Sequence, residues 1–150
     1  MADSDLIKLY SARILELASS IPHAARLEAP DITITRRSPQ CGSTITVDLC
    51  ATDGVITAFG QDVKACALGQ AAAALVGTNI LGRSLVEVET ARDGLAAMLS
   101  DGATPPDPPF DGFEVLTPAR DFKNRHASIL LAFDATVEAL TALAAKPATA

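Results

Sequence analysis

The chain has 150 residues, of which 49% are hydrophobic and 20% are charged, and its formal net charge at pH 7 is −6. This length suits one domain spanning residues 1–150, and the apolar fraction is large enough to build a core, which excludes a disordered chain. The negative charge argues against nucleic acid as the main partner, because binding to phosphates needs a basic surface.

The first predicted element is an amphipathic helix over residues 4–20, with Ser4 as its N-cap. Its apolar residues recur at helical spacing: Leu6, Ile7, Tyr10, Ile14 and Leu17. The segment that follows carries Pro22 and Pro30, so we expect it to be irregular.

Three β-strands are predicted next. "DITITRR" from Asp31 and "STITVDLC" from Ser43 alternate apolar and polar residues, and the turn signal "TDG" separates the second strand from "VITAFGQDV". Together they predict an antiparallel meander with one apolar face. Cys50 falls on the polar face and is interpreted as an incidental thiol.

From Cys66 onward the pattern is helical. "CALGQAAAALV" is rich in alanine, and "RSLVEVETARDGLAAMLSDG" begins with a capping box of Ser84 and Glu87 and ends at Gly102. A proline-rich loop follows, then a short helix or turn over residues 113–116, and a last helix from residues 123–125 to about residue 145. The predicted fold class is α+β, a small three-stranded antiparallel sheet with helices packed on one face.

Two cysteines stand where secondary structure changes. Cys41 precedes a strand and is followed by Gly42, which lets the backbone approach a ligand closely. Cys66 opens a helix, where unpaired backbone N–H groups favour a thiolate. Both could bind a metal or react, but spacing alone favours two small buried apolar residues, because no local pair of cysteines accompanies them.

His126 and a basic cluster open the last helix. The histidine lies on the apolar stripe, where burial favours the neutral form that binds metals, although a hydrogen-bonded histidine at the edge of the core fits equally well. The cluster of Arg120, Lys123 and Arg125 reads either as a solvated helix start or as a docking surface for an acidic partner.

The expected compartment is the cytoplasm. Three cysteines are an odd and low number, which favours free thiols in a reducing environment over disulfides. No apolar run approaches the roughly 20 residues that span a bilayer, and the N-terminus lacks a signal-peptide pattern. We therefore expect no membrane partner.

Three segments of the sequence resemble the NifU/IscU-type scaffold family of iron–sulfur cluster assembly. "SPQCGSTITVDL" is similar to the family's first-cysteine segment, and "ITAFGQDVKACALGQAAAAL" to its second, where a strand ends at a cysteine that opens a small-residue helix. "RHASILLAFDA" is similar to the His-Cys-Ser-Ile-Leu-like run that opens the family's last helix. The resemblance covers roughly residues 4–145 and implies a SufE/NifU-like fold.

The resemblance also implies a set of cluster ligands. Cys41 and Cys66 match the first and second ligand cysteines, and His126 matches the histidine before the third. The third cysteine is replaced by Ala127, and the family's aspartate after Cys-Gly by Ser43. Because a [2Fe–2S] cluster needs four ligands, one copy of this chain would require an outside ligand, a second copy or a borrowed side chain.

The function implied by the resemblance is a scaffold-like protein that is not itself an enzyme. It would bind a transient Fe–S cluster, iron or zinc through Cys41 and Cys66 with help from His126, and its partners would be a cysteine desulfurase and Fe–S acceptor proteins. Two other hypotheses stay open. The chain could be a metal-free docking or regulatory partner of a cysteine desulfurase, or a thiol sulfur acceptor that uses Cys66.

Overall fold

The computed structural model describes residues 11–39 and 42–145. Its helices and strands are α1 Ala12–Ser19, β1 Ile32–Arg37, β2 Thr44–Thr52, β3 Val55–Lys64, α2 Ala67–Asn79, α3 Leu85–Asp101 and α4 His126–Ala145. Two 3-10 segments, Asp111–Asp121 and Lys123–Arg125, connect α3 to α4. The predicted α+β class is confirmed.

The sheet is an antiparallel meander in the order β1-β2-β3. A two-residue turn joins β2 to β3, and both of its residues have positive φ, 53° at Asp53 and 79° at Gly54. Such turns match the twist of the flanking strands, which is why the Asp-Gly pair marks a hairpin in the sequence. The predicted hairpin is confirmed.

The helices pack on one face of this sheet, as predicted. Alternation along β2 directs Ile45, Val47 and Leu49 inward, and none of them is more than 1% exposed. Helix α4 packs on β1 and β2, and α2 lies between α1 and α4. Gln61 also points inward, and its Nε2 donates to the carbonyl oxygens of Pro22 and Ala73, which joins the sheet to α2.

The irregular segment before β1 covers part of the other face. Asp48 is fully buried there and accepts hydrogen bonds from the Arg26 guanidinium, the Leu27 backbone N–H and the Thr33 hydroxyl. Burial by itself raises the pKa of Asp48, but these donors and the arginine charge outweigh it and lower that pKa below its ordinary value. Gly60 lets the segment approach, because a Cβ there would collide with a backbone carbonyl oxygen.

Two sequence predictions need correction in length. The predicted helix over residues 4–20 does not run through Ser11, which is extended (φ −60°, ψ 162°) and accepts a hydrogen bond from the Ile14 N–H as the N-cap of α1. Residues 4–10 of that prediction lie outside the described residues. The short turn predicted over residues 113–116 is a longer 3-10 segment, Asp111–Asp121, which contains Pro118.

The expectation about apolar runs also needs correction. Within residues 11–39 and 42–145, the segment Lys123–Ala145 is long and apolar enough to cross a membrane by length and composition, with a mean hydropathy of 1.6. Half of that apolar stretch is buried inside the fold. Its contacts with the sheet, α2 and α3 are those of a core helix, which accounts for the composition.

Candidate functional site

Three segments distant in sequence meet at the start of α2. Cys66 is the N-cap of α2, Ser43 lies directly before β2, and Ser128 lies in the first turn of α4. The Cys66 Sγ is 3.6 Å from the Ser128 Oγ, which is 3.0 Å from the Ser43 Oγ. Both serines are at most 3% exposed. We refer to Ser43, Cys66 and Ser128 as the hydroxyl–thiol cluster.

Gly69 allows the starts of α2 and α4 to come this close. A Cβ at this position would lie 2.5 Å from the Ser128 Oγ and 2.8 Å from the Ala65 Cβ. Real side chains do not tolerate such distances, so any larger residue would push the two helices apart. The glycine that interrupts the alanine-rich helix therefore has a packing reason at the site.

Backbone hydrogen bonds to Ser38 help to place Ser43. The Ser38 N–H donates to the Ser43 carbonyl oxygen at 2.7 Å, and the Gly42 N–H donates to the Ser38 carbonyl oxygen at 3.0 Å. Gly42 has a φ of 73°, a conformation that glycine adopts without a steric penalty. These hydrogen bonds fix the position at which the chain enters β2.

Cys66 is open to chemistry in two respects. Its backbone is extended (φ −65°, ψ 170°), as at most N-caps, but its side chain makes no capping hydrogen bond to α2. The residue is also partly exposed. The thiol therefore contacts Ser128 instead of the α2 backbone and lies at the positive end of the helix dipole, where anions are stabilised.

His126 lies two residues before Ser128, and its ring is held by the 3-10 segment Asp111–Asp121. Its Nε2 is 3.0 Å from the Ala119 carbonyl oxygen and 3.1 Å from that of Arg120. Carbonyl oxygens only accept, so Nε2 carries the proton and Nδ1 is the nitrogen able to bind a metal in the neutral ring. No hydrogen bond joins this ring to Cys66 or Ser128 within the described residues.

The other two cysteines differ in position. Cys41 lies outside the described residues, so its place in the implied ligand set with Cys66 and His126 stays a prediction. Cys50 lies on the opposite face of the sheet, where its thiol donates to the Ala29 carbonyl oxygen at 3.5 Å, in keeping with the interpretation of an incidental thiol.

The described donors do not by themselves form a metal site. Within residues 11–39 and 42–145, no group of three or more His, Cys, Asp or Glu side chains could hold a metal ion. A metal ion or Fe–S cluster at Cys66 would therefore need ligands from outside this part of the chain.

Two residues of the hydroxyl–thiol cluster, Ser43 and Ser128, were not predicted from the sequence to be part of a site. The sequence singles out Ser43 only as the residue in place of the family's aspartate and does not point to Ser128, yet Ser128 contacts the Cys66 thiol and Ser43 contacts Ser128. The signal that could have pointed to them is Gly69, because a glycine inside a buried helix can mark a close approach.

Comparison with solved structures places the fold among known proteins. The crystal structure of a nitrogen-fixing NifU-like protein (N-terminal) from Brucella abortus superposes with a TM-score of 0.92 and 39% sequence identity, covering 95% of this chain and 99% of that one. A protein assigned as an iron–sulfur cluster assembly scaffold for the SUF system, from the thermophile Fervidobacterium islandicum AW-1, gives a TM-score of 0.78 at 18% identity, covering 88% and 96%.

A third structure, of a hypothetical protein, gives a TM-score of 0.75 at 17% identity and covers 94% of this chain and 99% of that one. The second and third similarities show the fold alone. The sequence matches no protein-family model and no curated protein.

Proposed function

The chain belongs to the family of NifU-like proteins, and from this premise we propose that it is an iron–sulfur cluster assembly scaffold-like protein of the cytoplasm, not itself an enzyme. The observation that carries the proposal is the identity of 39% over 95% of the chain with the Brucella NifU-like domain. The site supports it, since Cys66 stands at an open helix N-terminus beside the start of α4.

In this proposal the cluster is cargo, assembled on the protein and passed on. Cys41 and Cys66 supply thiolates to iron, and His126 supplies Nδ1, which the carbonyl contacts of its Nε2 leave available. Ala127 supplies no ligand, so the fourth position belongs to an outside ligand or a partner. An Fe–S cluster that the chain binds with fewer than four of its own ligands suits a protein that must pass the cluster on. The sulfur donor is a cysteine desulfurase, and the recipients are Fe–S acceptor proteins.

Reconstitution without air tests the proposal. Wild-type protein incubated with iron and sulfide should develop the visible absorption bands of a cluster, and a Cys41→Ala, Cys66→Ala double variant should not. Cys50→Ala is the matched control, because Cys50 lies on the opposite face of the sheet, and it should keep the bands. No bands in the wild type, or the same bands in the double variant, would refute the scaffold.

Restoring the missing ligand sharpens the test. Ala127 is partly buried in the first turn of α4, next to the serine that contacts Cys66. Ala127→Cys should retain the absorption bands longer than the wild type when a chelator is added, because it adds a thiolate ligand. Equal retention in the two proteins would contradict the placement of the cluster at the start of α4.

A second candidate function is sulfur acceptance by Cys66. It is favoured by the partial exposure of this thiol and by the lack of a three-ligand metal group in the described part of the chain. The Cys66 thiolate would attack the outer sulfur of a desulfurase persulfide. A new S–S bond forms on Cys66 and the bond to the desulfurase cysteine breaks, so that this cysteine leaves as a thiolate.

Mass spectrometry after thiol alkylation decides this second candidate. After incubation with a cysteine desulfurase and cysteine, the peptide containing Cys66 should gain one sulfur atom, and the peptide containing Cys50 should not. Modification of both peptides alike, or of neither, would rule out Cys66 as the acceptor.

A further inference from the structure

The Ser128 hydroxyl is turned away from the backbone of its own helix. Three other helical hydroxyls donate to the carbonyl oxygen four residues earlier: Thr78 to Ala74, Ser100 to Ala96 and Thr136 to Ala132. Such a bond keeps a hydroxyl occupied within its own helix. Ser128 makes no bond of this kind within residues 11–39 and 42–145, and its Oγ instead contacts the Ser43 Oγ and the Cys66 Sγ.

The contact between Ser128 and the sulfur lies in the packed interior. Ser128 is 1% exposed and Ser43 is 3% exposed, whereas Cys66 is partly exposed. A hydrogen bond is stronger where water does not compete for its donor and acceptor. Because Gly69 has no Cβ, the starts of α2 and α4 come close enough for the contact to form. The serine hydroxyl therefore reaches the sulfur from inside the fold.

The number of available hydrogens sets the direction of both contacts once the sulfur has lost its proton. A hydroxyl can donate one hydrogen and can also accept, whereas a thiolate can only accept. At the 3.6 Å contact with Cys66, the hydrogen then comes from Ser128. At the 3.0 Å contact between the two hydroxyls, the hydrogen then comes from Ser43, because Ser128 has already used its own.

We propose that Ser128 is a positioning residue for Cys66 and that its hydroxyl donates a hydrogen bond to the sulfur whenever the sulfur carries no proton. Ser43 holds the Ser128 hydroxyl in the orientation that this bond requires. The inference deepens the proposed function and rests on it, because a cysteine acts as a metal ligand or as a nucleophile in its unprotonated form. The chain thus supports the working form of Cys66 with two neutral side chains.

Alkylation of the metal-free protein tests this role without a cluster. Iodoacetamide reacts with the unprotonated sulfur, and mass spectrometry quantifies the labelling of Cys66 and Cys50 in one sample at neutral pH, with each site assigned by fragmentation. Cys50 is the internal reference because it lies on the opposite face of the sheet. The variant is Ser128→Ala. The matched control is Thr136→Val, which removes another buried hydroxyl of α4 two turns further on.

Ser128→Ala should slow the labelling of Cys66 relative to Cys50 by at least about threefold, because losing the donor lowers the unprotonated fraction more than it raises the nucleophilicity of the sulfur. Removing the Ser128 oxygen also opens space beside the sulfur, which by itself would speed labelling, so a slower reaction does not come from access. Ser43→Ala should give a smaller decrease, because Ser128 keeps its hydrogen but loses the group that holds it. Thr136→Val should match the wild type.

The reduction potential of the reconstituted cluster provides a second measurement. Hydrogen bonds to the ligand sulfurs are among the factors that set the potential of an Fe–S cluster, and losing a donor leaves more negative charge on the sulfur. Ser128→Ala should therefore give a cluster with a more negative potential than the wild type, whereas Thr136→Val should not. A purely structural role of Ser128 would change the yield of the cluster and leave its potential unchanged.

The labelling experiment separates a failure of this inference from a failure of the proposed function. Equal or faster labelling of Cys66 in Ser128→Ala would overturn the role of Ser128, while cluster formation or sulfur acceptance would stand. An equal decrease in Thr136→Val would also overturn it, because the loss of any buried hydroxyl would then suffice. A wild type that forms neither a cluster nor a persulfide, although Ser128→Ala still slows labelling, would refute the proposed function and leave the hydrogen bond in place.

Discussion

The starts of α2 and α3 are built in opposite ways. At α3 the Ser84 Oγ accepts a hydrogen bond from the Glu87 N–H, and the Glu87 carboxylate accepts one from the Ser84 N–H. Arg83 adds an ion pair to the same carboxylate at 3.0 Å. At α2 the N-cap is Cys66, whose side chain makes no capping hydrogen bond and contacts Ser128 of another helix instead.

The difference is between a helix start that neighbouring residues cap and one whose N-cap side chain contacts another helix. Residues within four positions of one another satisfy the start of α3, so its sequence alone closes it. The start of α2 packs against residues distant in sequence, Ser43 and Ser128, and the Cys66 side chain makes no capping hydrogen bond. We infer that the chain gives up a cap at α2 in order to place a thiol there.

The largest expected effect comes from the same substitution made in both helices. Gly69→Ala should lower the free energy of unfolding by about 2 kcal/mol, because overpacking against Ser128 outweighs the higher helix propensity of alanine. Gly94→Ala in α3 should raise it by about 0.5–1 kcal/mol, since a Cβ there would lie at an ordinary 3.5 Å from Pro106. Urea unfolding measures the free energy of unfolding of both variants and of the wild type.

A rescue variant identifies the cause. Adding Ser128→Ala to Gly69→Ala removes the oxygen that the new Cβ meets at 2.5 Å, but leaves the Ala65 contact at 2.8 Å. Stability should therefore return in part. A Gly69→Ala variant as stable as Gly94→Ala would show that the starts of α2 and α4 are not tightly packed at the hydroxyl–thiol cluster.

The next largest effect on stability is expected from substitutions of the N-cap residues of α3 and α2. Ser84→Ala should cost about 1 kcal/mol, the usual loss for an N-cap hydrogen bond. Cys66→Ser should leave stability unchanged or raise it by up to about 1 kcal/mol, because serine can accept the backbone hydrogen bond that Cys66 does not. If Cys66→Ser cost more than Ser84→Ala, the thiol would be a structural element, and the contrast between the two starts would be wrong.

The smallest expected effect depends on pH. The hydrogen bond from the Ser84 N–H, helped by Arg83, lowers the pKa of Glu87 below its ordinary value. A carboxylate with a lowered folded-state pKa adds stability above its ordinary pKa of about 4.3, and this is lost as the pH falls through the folded value. Glu87→Gln should therefore lower the melting temperature at neutral pH but not near pH 3.

The start of α2 provides the contrast for this pH dependence. Within residues 11–39 and 42–145 no carboxylate caps it, so the difference in melting temperature between Cys66→Ser and the wild type should not change between about pH 6 and about pH 3. A pH-independent effect of Glu87→Gln would mean that its charge does not contribute to the cap.

The elements that could be predicted from the sequence are those whose determinants lie close together. The Asp53-Gly54 turn and the Ser84–Glu87 capping box each need only a few neighbouring residues, and both form as predicted. The N-terminal helix was predicted too long, because periodic apolar residues do not show where a serine side chain takes over a backbone hydrogen bond. Ser11 does so at α1.

From the sequence, the separate segments of the site could be predicted, but the contacts between them could not. The two contacts of the hydroxyl–thiol cluster join residues 85 and 62 positions apart in the chain, and no local pattern encodes them. The orientation of His126 depends on carbonyl oxygens that a 3-10 segment presents.

The iron and sulfide content of protein purified without air tests the central claim most directly. The wild type and Ser84→Ala should contain iron and acid-labile sulfide in the same ratio to protein, whereas Cys66→Ser should contain neither, although it is the more stable of the two variants. Iron and sulfide in Cys66→Ser at the wild-type level would contradict the claim that the start of α2 holds the cluster. A wild type with neither would favour the metal-free docking partner instead.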